Sequence, residues 1–237
     1  MTLRYHKIGI VGALDEEVND LIKSLVPNTS SMIPSDKYEL DTCFHSGQIG
    51  TQEVVIAKCG VGKVNAAIIA QRMIDIYGCD ALMKVGVAGA ISDDVKKNDI
   101  VISTEIIEHD MEAFDGPGVI PNMKTSTFVA DRLMVEIAKA ACDKLIGEGN
   151  YHAGMHVSGD QFICTQEKKD WLKRTFNPLC AEMEGGGLAH TACVNHLPYV
   201  VLSSMSDMAD DDAVDTFAAN KDEAVDFTTQ VVIEMLR

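Results

Sequence analysis

The sequence predicts one α/β domain with a mixed, mostly parallel twisted central sheet flanked by helices. Three observations predict it. Short apolar runs rich in β-branched residues alternate with segments of helical periodicity along the chain. Several of these runs end in Gly-bounded turns that open a helix. No Pro/Ser tract, repeat or shift in composition divides residues 1–237, so one domain spans them. With 46% apolar residues, a chain of 237 can bury a sizeable core.

The elements follow in order. KIGIVGAL at 7–14 reads as a strand, and DEEVNDLIKSL continues it as a helix, with Leu14, Val18, Leu21, Ile22 and Leu25 at helical spacing. After a Ser- and Asn-rich segment past Pro27, Tyr38 to Ile49 and Glu53 to Lys58 read as strands joined through Gly50. CGVG at 59–62 is a turn before a helix from Lys63 to Tyr77. Strands are then expected at Ala81 to Val87 and Asp99 to Ile107, followed by a long loop through Gly116, Pro117, Gly118 and Pro121. A helix at Ala130 to Leu145, a strand at Met155 to Cys164 and a short helix at Gln166 to Thr175 come next. Gly185 to Asn195 reads as a helix, Tyr199 to Ser204 as a buried strand, and Asp222 to Leu236 as a last helix with Val225, Val232 and Met235 on its apolar side.

Charge and composition exclude several classes of function. Twenty Lys and Arg against thirty-six Asp and Glu give 20 − 36 = −16, a field that repels nucleic acid and anionic membranes. Aromatic residues make up 5% of the chain, with Trp171 the single Trp, so no base-stacking surface is suggested. The seven cysteines form no CxxC pair and read as buried free thiols. The apolar run from Ile8 to Leu14 ends in Asp15, Glu16 and Glu17 rather than a cleavage site, and no run is long enough to span a bilayer. A cytoplasmic protein is expected. CGVGK lacks the spacing of a P-loop, GIVGAL lacks that of a dinucleotide fingerprint, and the seven His show no HExxH pairing, so neither cofactor nor metal is expected.

In open α/β sheets, ligands gather at the carboxyl ends of strands, and three such ends carry acids: Asp15-Glu16-Glu17, Glu182-Met183-Glu184 before three glycines, and Ser206-Asp207-Met208-Ala209-Asp210. Each has an ordinary structural explanation. Acids near a helix start satisfy free N–H groups and the dipole, and Ser206 or Asp207 suits a helix cap. Taken singly, these turns do not identify a function.

Their order is more specific. The stretches IGIVGALDEEV at 8–18, KCGVGKVNAA at 58–67, VGVAGAI at 85–91, NDIVIS at 98–103, HD at 109–110, VSGDQFI at 157–163, AEMEGGGLAH at 181–190 and SSMSDMAD at 203–210 span nearly the whole chain. Together they resemble the purine nucleoside phosphorylase and nucleosidase superfamily, and within it the methylthioadenosine/S-adenosylhomocysteine nucleosidases. The resemblance implies a nucleoside phosphorylase-like domain, usually homodimeric, that hydrolyses the N-glycosidic bond of adenine thioribosides without metal or other cofactor.

The resemblance also implies roles. Asp207 would protonate adenine N7, supported by Ser206, and Glu17 would activate the attacking water. Glu184 would bind the ribose hydroxyls, with Met183 and Glu182 flanking the sugar. Phe162 would stack on adenine, Ile163 would offer backbone hydrogen bonds to its edge, and Phe217 would close the thioalkyl pocket. Leu14, Val61, Val87 and Gly89 complete the implied substrate-binding set, while Phe114 and Pro121 resemble a loop that reaches across the dimer interface. The acids suit the chemistry, because breaking a ribosyl C–N bond develops positive charge on the sugar and requires an acid for the departing base.

Three positions depart from the pattern. Val87 and Ser203 stand where many nucleosidases have Ser and Arg, which removes polar support for the water. Lys84 lies near the place where trimeric or hexameric phosphorylases put a phosphate-binding Arg. That leaves two alternatives beside hydrolysis: phosphate-dependent cleavage of purine nucleosides, and a non-catalytic nucleoside-binding protein. An acid-rich first turn disfavours phosphate, and the presence of both a candidate acid and a candidate base disfavours binding alone.

Overall fold

The computed structural model describes residues 3–33 and 42–237. The chain runs β1 (Lys7–Gly12), α1 (Asp15–Lys23), β2 (Val26–Ile33), β3 (Thr42–Ile49), β4 (Gln52–Lys58), α2 (Lys63–Tyr77), β5 (Ala81–Ala90) and β6 (Ile100–Glu108). It continues through β7 (Glu112–Ala113), β8 (Gly116–Pro117), β9 (Thr127–Val129), α3 (Arg132–Leu145), β10 (Tyr151–Ser158) and α4 (Gln166–Phe176). The last part is β11 (Cys180–Glu182), α5 (Gly185–Val194), β12 (Tyr199–Asp207) and α6 (Ala213–Met235).

The strands are ordered β11-β10-β6-β12-β5-β1-β4-β3-β2, with β9 on β6. Parallel pairing joins β4, β1, β5 and β12 on one stretch and β6, β10 and β11 on another. Antiparallel pairing joins β12 to β6 and builds the β2-β3-β4 flank. Because β11 also pairs antiparallel with the end of β5, the strands β5, β12, β6, β10 and β11 close into a ring. This closure brings the end of β11 against the end of β5 and places two acidic turns beside each other.

The central strands read as continuous apolar runs because both faces are covered. All nine residues of β12 are buried, and β5 is buried over its first six. Ile8, Ile10, Leu82, Val200 and Leu202 are wholly inaccessible within the main core. Helix α6 lies along β12 and β5 and packs on α1 and α3, whereas α2 and α5 pack on each other. Their close approach explains one glycine of the GGG run, since a Cβ on Gly187 would stand 2.0 Å from the carbonyl oxygen of Lys63.

Several elements differ from the sequence expectation. The Ser- and Asn-rich segment after Pro27 forms β2, a strand at the edge of the sheet with residues 26–31 exposed; edge strands need no apolar alternation. Residues 38–41 of the expected second strand lie outside the described residues. The strand expected at 155–164 ends at Ser158, and β11 forms from three buried residues. The 108–122 loop contains the small β7-β8 hairpin. Helix α6 begins at Ala213 rather than 222, which puts Phe217 and Lys221 on a helix. Among the described residues, no helix is long and apolar enough to cross a membrane.

Candidate active site

The ends of β1, β5, β11 and β12 meet at a cavity of about 470 Å³, a size suited to a small molecule. All thirteen residues expected at the catalytic and substrate-binding positions line it: Leu14, Glu17, Val61, Val87, Gly89, Phe162, Ile163, Glu182, Met183, Glu184, Ser206, Asp207 and Phe217. Phe114 and Pro121 do not. Both are exposed, with Phe114 at the tip of the β7-β8 hairpin.

Glu17 occupies the first turn of α1, where backbone N–H groups lack helical partners. Its side chain folds back so that Oε2 accepts from the N–H of Ala13 at 2.5 Å and of Leu14 at 3.1 Å, while Oε1 accepts from Val87 N–H at 3.1 Å. Burial pushes this carboxyl above its ordinary range; Lys84 and the three N–H donors pull the other way. The three donors favour the ionised form, the form in which a carboxyl group can act as a base.

Asp207 ends β12, where the register against β5 shifts between Met205 and Asp207 and sets the aspartate beside Gly89. Such an irregularity re-aims a side chain. Oδ2 accepts from Ser206 Oγ at 2.9 Å, and Oδ1 accepts from Ala209 N–H at 2.8 Å. Ala209 holds the turn in a left-handed conformation, φ 51°, which is uncommon for a residue with a Cβ. Burial raises the Asp207 carboxyl, and the two hydrogen bonds offset part of that effect. A raised carboxyl is what a general acid requires.

Glu182 and Glu184 differ although a single residue separates them. Glu182 Oε2 accepts from the N–H of Glu184 at 3.0 Å and of Gly185 at 2.6 Å, capping the start of α5, and its side chain is 1% exposed. Oε2 is thus engaged by the protein, while Oε1 has no hydrogen-bond partner among the described residues and Glu182 lines the cavity. Glu184 Oε1 accepts from Gly62 N–H at 2.9 Å. Gly62 has φ 105°, a conformation L side chains rarely adopt. Burial raises the Glu184 carboxyl to about 7, with Lys84 opposing and Glu182 reinforcing the shift.

The remaining lining is apolar or aromatic. Phe162 is 41% exposed at the rim and packs edge-on against Phe217, ring centres 5.6 Å apart. Ile163 is buried, while Met183 and Leu14 are half-buried.

Comparison with known proteins places this geometry. A profile of the phosphorylase superfamily matches residues 7–237.

The chain belongs to the phosphorylase superfamily.

Within that superfamily, the 5′-methylthioadenosine/S-adenosylhomocysteine nucleosidase of Shewanella denitrificans is 35% identical over 229 residues, covering 95% of this chain and 92% of the relative. The solved nucleosidase of S. pneumoniae, bound to the transition-state inhibitor MT-ImmA, superposes with a TM-score of 0.90 at 29% identity over 97% of this chain and 98% of that one. The futalosine hydrolase of Helicobacter pylori superposes with a TM-score of 0.87 at 28% identity, covering 97% of each chain.

This superfamily site also contains residues that the sequence did not single out for it. Lys221 lines the cavity one helical turn beyond Phe217 and pairs with Glu16. Gln161 lines it beside Phe162, and its position inside GDQFI was the available signal. Lys84, the residue suggesting phosphate, does not line the cavity. It is wholly buried, with Nζ 3.3 Å from Glu182 Oε2 and 3.5 Å from Glu184 Oε2. Lys84 is therefore engaged by carboxylates. Among the described residues, no group of three or more His, Cys, Asp or Glu side chains is disposed to hold a metal ion.

Proposed function

We propose that the chain hydrolyses the N-glycosidic bond of 5′-methylthioadenosine and S-adenosylhomocysteine, with 5′-deoxyadenosine in the same substrate class, releasing adenine. The observation that carries the reading is the contrast between Glu17 and Asp207 on one cavity. Both are buried, but Glu17 accepts from three backbone N–H groups, whereas Asp207 accepts from one N–H and from the Ser206 hydroxyl. Two carboxyl groups in unlike surroundings serve as base and acid.

In this reading Asp207 gives its proton to the purine as the C–N bond lengthens, so the base departs neutral. Glu17 takes a proton from the attacking water. Glu184 accepts from the ribose hydroxyls and, as an anion, favours the cationic sugar that develops between them. Phe162 and Phe217 cover opposite parts of the substrate: the adenine face and the 5′ substituent. The names of the relatives support the same substrates.

The reading includes a homodimer in the cytoplasm. It is supported by apolar side chains left exposed on and beside α2 and α5, namely Val61, Val64, Ile68 and Val194. The seven cysteines, all free, fit a reducing compartment.

The test is incubation with methylthioadenosine in the presence and absence of phosphate. Adenine and methylthioribose formed without phosphate are the expected products. A phosphate requirement with a sugar 1-phosphate product would replace hydrolysis by phosphorolysis, and tight binding without turnover would leave a binding protein.

A further inference from the structure

Lys84 is the lone charge in the otherwise apolar β5, ALMKVGVAGA. An ammonium without water is costly unless anions surround it. Here they do. Glu182 at the end of β11 and Glu184 at the start of α5 lie 3.3 and 3.5 Å from Nζ. Glu17 of α1 is close enough for its charge to act on Lys84. Other titratable groups facing this cluster include Cys59 after β4, His156 of β10, Cys180 of β11, His109 after β6, which feels Glu182, and Lys221 of α6, which feels Glu17. Cys180 and His156 are wholly buried and Cys59 is 1% exposed, so water does not screen the cluster on the side away from the cavity.

The contact is Coulombic rather than directional, because Nζ has no hydrogen-bond partner of good geometry among the described residues. A lysine acts here as a point charge, which does not require fork geometry. The strand places it well for that purpose: Lys84 and Gly86 are two residues apart on β5 and so share one face, and Gly86 is where the Glu17 carboxylate comes nearest the strand.

We propose that Lys84 is a positioning residue of this site, a buried cation behind the cavity that holds Glu184 charged and fixed for the ribose hydroxyls while neutralising Glu182. The proposal rests on the reading of Glu184 as the sugar-binding acid. It assigns Lys84 a role distinct from phosphate binding, since the ammonium contacts protein carboxylates and not the cavity.

The sign of the effect follows from charge. Without Lys84, two buried carboxylates repel each other and Glu184 holds its proton to higher pH. Activity that needs ionised Glu184 then begins at higher pH. We expect Lys84→Met to move the acidic limb of kcat/KM upward by about one pH unit or more and to lower kcat/KM at pH 7 by roughly 10-fold or more. Lys84→Arg, which keeps the cation, should return the limb most of the way. Glu182→Gln, which leaves Lys84 to Glu184 alone, should move the limb downward and remains informative if Lys84→Met does not fold.

A ¹³C titration of the Glu184 carboxyl, assigned with Glu184→Gln, reads the same quantity without turnover. An acidic limb and a carboxyl titration unmoved in both Lys84→Met and Glu182→Gln would overturn the proposal. If the wild-type protein releases no adenine, the functional reading fails on its own, and the carboxyl titration still decides whether Lys84 holds Glu184 charged.

Discussion

Gly86 gives Glu17 its place: a Cβ at residue 86 would stand 2.2 Å from Glu17 Oε1 and 2.7 Å from its Cδ. Gly89 does the same for Asp207, whose Oδ1 would lie 2.7 Å from a Cβ there. One strand thus admits both candidate catalytic carboxyls through missing side chains. Gly86→Ala should displace the Glu17 carboxylate, break its bond from Val87 N–H and lower kcat/KM by about 100-fold, the scale of a 1 Å misplacement. Steady-state kinetics with a melting curve checks this; full activity in a folded Gly86→Ala protein contradicts it.

Removing either proton-transfer group should stop turnover with the fold retained. Asp207→Asn and Glu17→Gln are each expected to lower kcat by about 100-fold to 10,000-fold. Glu17→Gln also turns an acceptor into a partial donor toward three N–H groups, so it should melt somewhat lower than Asp207→Asn. Unchanged rates in either variant would remove that residue from the mechanism.

Stability should carry the signature of Glu184. Its folded carboxyl is raised from 4.5 to about 7, so the native state binds more protons than the unfolded chain between those values. Stability from this group is full below about pH 4.5 and is lost as pH rises through about 7. Relative to Glu184→Gln, the wild type should therefore lose unfolding free energy across that window. Denaturant melts of both proteins at pH 5 and pH 8 measure it, and a pH-independent difference would refute the raised carboxyl.

Assembly should matter to the site through the β7-β8 hairpin. Phe114 is fully exposed at its tip. Sedimentation velocity is expected to give a dimer, and Phe114→Ser should raise KM while leaving the melting temperature nearly unchanged. A monomer with full activity would rule out a shared site.

Much of this arrangement was legible before folding. Glu17, Glu184 and Asp207 could be found because each follows an apolar strand directly, and position after a strand is a local property of the chain. Helices α2, α3, α4 and α5 were readable from spacing and Gly punctuation for the same reason. β2 was not, since an exposed edge strand of Ser, Asn and Thr carries no apolar alternation. The first turns of α6 were missed because AVDTFAANK has no continuous apolar stripe; its contacts are with the cavity, where Phe217 and Lys221 end.

The alternation of strands and helices, the three acidic turns and the family they resemble could be read from the chain, because these depend on neighbours within a few residues. The surroundings of each acid came only with the tertiary fold. It separated Glu182 from Glu184 by giving one to a helix start, it gave Gly86 and Gly89 their purpose, and it turned Lys84 from a phosphate candidate into the counter-charge of two carboxylates. Those outcomes depend on burial and on charges brought together from distant parts of the chain, and a buried charge is defined by its surroundings.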